Sequence, residues 1–302
     1  MTFSTQSDAA PVKPLRFLFI HHSCGGQLLA APGPDEGTNC IYSSHPNGGG
    51  LRAMLETNSY ELHEASYGSK IGENTDIFDW LPKFRDEMEE ILAYDMREQP
   101  TNAQNNIVAF KSCFPNNCFV SEGIAPGNPV GPELTVWNAK ATYKALLNEF
   151  RKYPHVLFVC FTTPPLAFGT LEGPLWKVLA KKIVSRKRGL DQSGQLARQF
   201  NNWLAATNGW LKDYLPKNVV VFNYYDILTG YGASDFCVYP SAKGHDSHPN
   251  SEGNQKAAEA FVPLLNRAVQ CASVALDRKT MELGLSNAPL KTVIHDIHGN
   301  LN

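Results

Sequence analysis

The chain has 302 residues, 43% of them apolar and 19% charged, and a formal net charge of −2. That length and apolar share describe a globular protein with a sizeable core and exclude a chain that stays disordered for want of one. The near balance of charge offers no general attraction for nucleic acid or an anionic membrane, and no apolar run is long enough to span a bilayer.

Residues 1–14, MTFSTQSDAAPVKP, lack a basic start followed by an apolar stretch, so no signal peptide is expected and the segment reads as a loose arm. The seven cysteines fall at irregular spacings, do not repeat as paired metal knuckles, and would leave one over in a disulfide framework. Cysteine usage of this kind predicts a mostly reduced, cytoplasmic protein. Cys113 and Cys118 are close in sequence, but spacing alone says nothing of bridge geometry.

Leu15 to Ile20 is a short apolar run without polar alternation, the pattern of a strand buried on both faces. It ends in His21-His22-Ser23-Cys24-Gly25-Gly26, and a helix is expected from about Gln27. Pro32 to Gly50, rich in Gly, Pro, Asn and Ser, reads as a long surface loop of the kind that walls a binding site. A helix over Leu51–Glu56 and a second strand over Tyr60–Ala65 follow, then a polar turn from Tyr67 to Thr75. Ile77 through Tyr94 is expected as one helix with Pro82 near its first turn.

Asn106–Phe110 is the third strand, closed by Lys111-Ser112-Cys113-Phe114-Pro115-Asn116-Asn117. A helix within Pro132–Tyr153 leads to a fourth strand, Val156–Phe161. Residues 168–194 carry Trp176, Leu179 and Ile183 at helical spacing among six Lys and Arg, either a solvated amphipathic helix or a basic lid over the site. Leu196–Tyr214 is helical, Asn218–Phe222 is the fifth strand with Asp226 beyond it, 234–250 is a loop, and a long helix covers Ser251–Ala275. Five buried-type strands alternating with helices predict one α/β domain over 15–276, a parallel sheet covered on both faces, with 277–302 as a tail. In that tail His295-Asp296-Ile297-His298 has metal-ligand residue types on what reads as a solvated segment.

In open α/β sheets ligands bind beyond the carboxyl ends of the strands, which is where these polar turns fall. Ser23 places a hydroxyl there. The loop before the last helix reads Asp246-Ser247-His248-Pro249-Asn250, a carboxylate and an imidazole with one residue between them. A serine becomes a useful nucleophile when a base accepts its proton and a carboxylate orients that base, which casts His248 as base and Asp246 as its partner. The duller alternative is a helix-capping turn. Amides at Ser23 and in the 68–72 turn, with an Asn side chain from 112–117, are candidate oxyanion donors.

Taken in order, a first-strand serine, a glycine in the second turn, an asparagine after the third strand and Asp…His-Pro-Asn before the last helix resemble the SGNH (GDSL-like) hydrolase superfamily. The resemblance covers about Leu15 to Leu265. It implies a flavodoxin-like three-layer α/β/α sandwich on five parallel strands, and an esterase of O-acyl, foremost O-acetyl, groups on small molecules or carbohydrates. It makes Ser23 the nucleophile, His248 the base and Asp246 its partner, with Ser23, Gly72 and Asn116 forming the oxyanion hole and His22 and Asn117 beside the substrate. No organic cofactor is implied, since no dinucleotide fingerprint or P-loop follows any strand, and no residue is assigned to a metal. The chain departs from the family where His21-His22-Ser23 replaces Gly-Asp-Ser, where Ser112–Asn117 replaces Gly-x-Asn-Asp, and where one residue rather than two separates Asp246 from His248. Three rivals stay open: a Cys24 thiol nucleophile, a non-catalytic binding protein on the same fold, and a metal hydrolase using His21, His22, Asp246 and His248.

Overall fold

The structure, a computed structural model, describes residues 8–97, 101–169 and 190–286, with backbone alone at 190–191 and 273–286. In chain order the elements are β1 (Leu15–Ile20), α1 (Cys24–Leu29), β2 (Ala31–Pro32), β3 (Glu36–Thr38), β4 (Ile41–His45), α2 (Leu51–Thr57) and β5 (Tyr60–Ala65). Next come α3 (Trp80–Asp86), α4 (Met88–Ala93), β6 (Ile107–Phe110), α5 (Val136–Arg151), β7 (Leu157–Phe161) and α6 (Leu190–Ala205). The last are β8 (Val219–Phe222), α7 (Tyr224–Leu228), β9 (Pro240–Ser241), β10 (Asp246–Pro249) and α8 (Ser251–Ser286).

Five strands form one sheet in the order β5-β1-β6-β7-β8, with every pairing parallel. Successive side chains of a strand point to opposite faces, and here both sets are apolar. Leu18, Ile20, Val108, Phe110 and Phe158 pack with α3, α4, α5 and α6 on one face. Phe17, Phe19, Ala109, Val159, Phe161 and Phe222 pack with α1, α2, α7 and α8 on the other. The result is the three-layer α/β sandwich, and the strand order is that of flavodoxin-like sheets. Burial on both faces is why each strand reads as a continuous apolar run rather than an alternating one.

Crossovers leave β1 and β6 in opposite directions along the sheet, so the crevice between their carboxyl ends is the topological switch point. The last rung between them is the Lys111 amide donating to Ile20 O at 3.2 Å. Beyond it the two chains part, and Ser23 and Cys113 face each other across the gap.

Several expectations need correction. The 32–50 segment is not simply a loop, because β2, β4 and β3 form a small sheet there. The helix expected over Ile77–Tyr94 begins at Trp80 and breaks at Glu87, whose φ of −120° leaves the helical region and divides α3 from α4. Within 234–250, β9 and β10 pair antiparallel. Helix α8 runs to Ser286, past the expected end at Ala275. Before β1, Asp8 O accepts from Asn266 Nδ2 at 2.7 Å and its carboxylate pairs with Arg267, so this part of the arm is tied to α8. Residues 170–189, with Trp176 and the basic cluster, and the 295–298 stretch lie outside the described residues.

Candidate active site at the β1–β6 rim

Residues i and i+2 of a strand share a face. Asp246 and His248 belong to β10, so a single intervening residue places both side chains on one side. His248 Nδ1 lies 2.7 Å from Asp246 Oδ1, and the His248 amide donates to the same oxygen at 3.0 Å. Ser247 is fully buried, and its Oγ accepts from the Ala167 amide at 2.9 Å. The short Asp-x-His spacing is therefore what a strand needs to join carboxylate and imidazole. Burial alone would raise the Asp246 pKa, but the hydrogen bonds from His248 outweigh it and bring it down to about 2. Donation from Nδ1–H to the carboxylate leaves the Nε2 lone pair to accept a proton, and Nε2 has no protein hydrogen bond among the described residues. Capping of α8 falls to Asn250, whose Oδ1 accepts from the Gly253 amide at 3.0 Å, so the histidine is not spent on it.

Ser23 sits just before α1 with φ 24° and ψ −85°, a conformation that strains any residue with a Cβ. The glycines that follow are required by close approaches. A Cβ on Gly26 would meet Cys40 O at 1.9 Å, where the small sheet lies on α1. Ser23 Oγ is 3.2 Å from Cys113 Sγ rather than hydrogen-bonded to His248. The residue after Cys113 closes the gap: the Phe114 ring meets His248 edge to face at 5.0 Å. Hydroxyl and imidazole thus occupy one rim, linked through the turn after β6. The Ser23 amide has no protein acceptor among the described residues and is available as an oxyanion donor.

The other expected donors are committed elsewhere. The Gly72 amide donates to Ser69 O at 3.0 Å and Ser69 Oγ at 3.1 Å. A Cβ there would meet Ser66 O at 2.1 Å, so Gly72 is needed for packing of the turn. Asn116 is buried, with Nδ2 on Asp76 Oδ1 and Oδ1 accepting from the Ile77 amide, both at 2.8 Å. Asn117 is wholly buried, donating to Thr163 O and Pro164 O and accepting from Asn201 Nδ2. Neither asparagine presents its amide to the Ser23 rim, because each ties its own turn to a neighbouring one.

His22, expected beside the substrate, has both ring nitrogens engaged within the protein. Its Nε2 donates to Gly72 O at 2.6 Å, its Nδ1 accepts from Thr75 Oγ1 at 3.0 Å, and its ring stacks on Tyr67 at 3.6 Å. Burial lowers its pKa, so it is a neutral brace for the 66–75 turn. His21, fully buried, lies 3.1 Å from Glu64 Oε2, and Glu64 also pairs with Arg52. Burial opposes ionisation of Glu64, but His21 and Arg52 prevail and hold its carboxyl below the usual range. His21 and His22 are thus each taken up by other partners, and among the described residues no three His, Cys, Asp or Glu side chains converge on a metal position.

Lys111 and Cys113 also stand at this rim, although the sequence does not mark either as a site residue. Lys111 Nζ lies 3.1 Å from Cys113 Sγ and is fully buried. A signal was present in the lysine that directly follows the apolar run of the third strand, where an ammonium is buried only with a partner. Hydrogen bonding from Cys24 is the largest influence on Cys113, and with Lys111 and Ser23 it outweighs burial and pushes this thiol well below the ordinary range. Cys24 is held well above that range, first by burial and then by Cys113. Cys113 and Cys118 are both free thiols.

A groove of about 560 Å³ runs between the small sheet and the 67–69 turn, lined among others by Thr38, Asn39, Ser43, Tyr67 and Ser69. Tyr67 belongs both to this groove and to the His22 stack. Among the described residues no charged side chain lines it. Among the described residues no helix is long and apolar enough to cross a membrane. No protein-family model matches the chain, and no curated protein matches it either.

Proposed function

We propose that the chain is a serine ester hydrolase acting on O-acyl, foremost O-acetyl, groups. The observation that carries this reading is the Asp246–His248 pair, whose Nε2 is left to act as a base on the rim that holds the strained Ser23. Rotation of the Ser23 side chain from Cys113 towards His248 delivers the hydroxyl proton to Nε2 as Oγ attacks the ester carbonyl. The oxyanion forms against the Ser23 amide, and His248 then protonates the departing alcohol. Water, deprotonated by the same imidazole, releases the acyl group. Hydroxyl and amide side chains along the groove suit an uncharged, hydroxyl-rich alcohol such as a sugar.

The second reading is a binding protein on this fold, favoured by the commitment of the Gly72, Asn116 and Asn117 amides elsewhere. Labelling with a fluorophosphonate followed by peptide mapping separates the two. An adduct on Ser23 that is lost in His248→Ala is the expected result. No adduct, or one on another residue, removes the hydrolase reading.

A further inference from the structure

Lys111 and Cys113 have no part in the scheme above, yet their side chains meet directly. Lys111 is wholly buried, and among the described residues its Nζ meets only Cys113 Sγ, at 3.1 Å, and Ser112 O, at 3.4 Å. A buried ammonium calls for a counter-charge, and a Cys113 thiolate is the group in place to supply it. Ser23 Oγ, 3.2 Å from the same sulfur, adds a hydroxyl to that thiolate's surroundings.

The backbone fixes the pair. The Lys111 amide donates to Ile20 O at 3.2 Å, and Cys113 O accepts from the Asn116 amide at 3.0 Å. Between them Ser112 Oγ accepts from Trp80 Nε1 at 2.8 Å. Two atoms held at contact distance react without the entropic cost of finding each other. Cys113 is half-buried, open enough for a small oxidant. Cys118 and Cys237 contrast with it, since burial pushes both up to about 12 and leaves them as inert thiols.

We propose that Cys113 is a modification site for small hydroperoxides, at which the sulfur is oxidised and Lys111 Nζ closes a sulfur–nitrogen bond on it. In the first step the Cys113 thiolate attacks the peroxide, an S–O bond forms, the O–O bond breaks, and the departing alkoxide takes a proton from Lys111 to leave as an alcohol. The sulfenic acid is neutral, so the ammonium has lost its counter-charge, and burial then favours the amine. In the second step the Lys111 amine attacks the Cys113 sulfur, an S–N bond forms, the S–O bond breaks, and hydroxide leaves as water with a proton from nitrogen. In total a thiolate, an ammonium and one hydroperoxide become a sulfenamide, an alcohol and one water. A thiol reductant reverses the change by attacking sulfur and returning the amine.

The bond changes the sulfur that Ser23 meets. That this alters hydrolysis rests on the reading of Ser23 as nucleophile, whereas formation of the bond does not.

The test treats reduced full-length protein with stoichiometric hydrogen peroxide and maps its peptides by mass spectrometry. The expected result is a peptide holding Lys111 and Cys113 that has lost two hydrogens, resists trypsin after Lys111 and is restored by dithiothreitol. One of the seven free thiols is lost, where a disulfide would consume two. Lys111→Arg keeps the charge without the amine, so it should stop at the sulfenic acid and give a dimedone adduct on Cys113. Lys111→Met should slow loss of the Cys113 thiol about tenfold or more, because the thiolate loses its cation. Cys113→Ser should abolish the loss of two hydrogens. Peroxide that leaves Cys113 a thiol, joins it to Lys111 through an added oxygen, pairs it with another cysteine or oxidises another cysteine first overturns the proposal. If the S–N bond forms while the fluorophosphonate never labels Ser23, the modification site stands and the hydrolase reading falls.

Discussion

One carboxylate oxygen of Asp246 takes two hydrogen bonds from His248, 2.7 Å from Nδ1 and 3.0 Å from the backbone amide. Two contacts to one atom hold the ring in a fixed tautomer and tilt, leaving Nε2 as the basic nitrogen. On the proposed mechanism, Ser23→Ala and His248→Ala each lower kcat/KM for p-nitrophenyl acetate by about a thousandfold or more. The double variant should be no worse than the single ones, because the pair acts as a unit. Rates equal to the wild type in both single variants would remove Ser–His catalysis.

The same pair makes a pH prediction. The Asp246 carboxyl is lowered in the folded protein, to about 2. A lowered folded-state pKa contributes stability above the unfolded value and loses it as pH falls through the folded one. The stability advantage of wild type over Asp246→Asn, read from urea midpoints, should be present at pH 5 and shrink between about pH 4 and 2. An advantage that grows on acidification has the wrong sign for this pairing.

Asn116 separates a structural from a catalytic role. Its side chain joins Asp76 and the Ile77 amide, so Asn116→Ala should cost about 1–3 kcal/mol of stability by leaving a buried donor unpaired. Chemical denaturation measures the loss, while kcat of the folded fraction changes little. A large drop in kcat at unchanged stability would instead return Asn116 to the oxyanion hole.

Glu64 carries the His21 and Arg52 contacts with no exposed side-chain surface of its own. Glu64→Gln leaves the Arg52 charge without its buried partner and should destabilise the fold by roughly 3 kcal/mol. The readout is the urea midpoint near neutral pH. A shift within error of zero would mean the carboxylate is dispensable there.

The strands were legible because each obeys a local demand. A strand covered on both faces must be apolar throughout, and LRFLFI, NIVAF, VLFVCF and NVVVF say so without reference to anything distant. The turn residues were legible in kind, as polar groups at carboxyl ends. Helix continuity was less so. Glu87 stands within an unbroken helical pattern, yet its backbone leaves the helical region and divides α3 from α4.

The amino-acid order alone specified a five-stranded α/β sandwich with polar turns after its strands, since strand burial is a nearest-neighbour property, whereas the strand that puts Asp246 and His248 on one side was read as a loop. Only folding assigned each polar group its partner. Ser23 meets Cys113 across 90 residues, and Asn117 is taken up by Asn201 across 84. Contacts at such separations leave no periodicity to read, because a side chain bonds to whatever the crossovers bring alongside it.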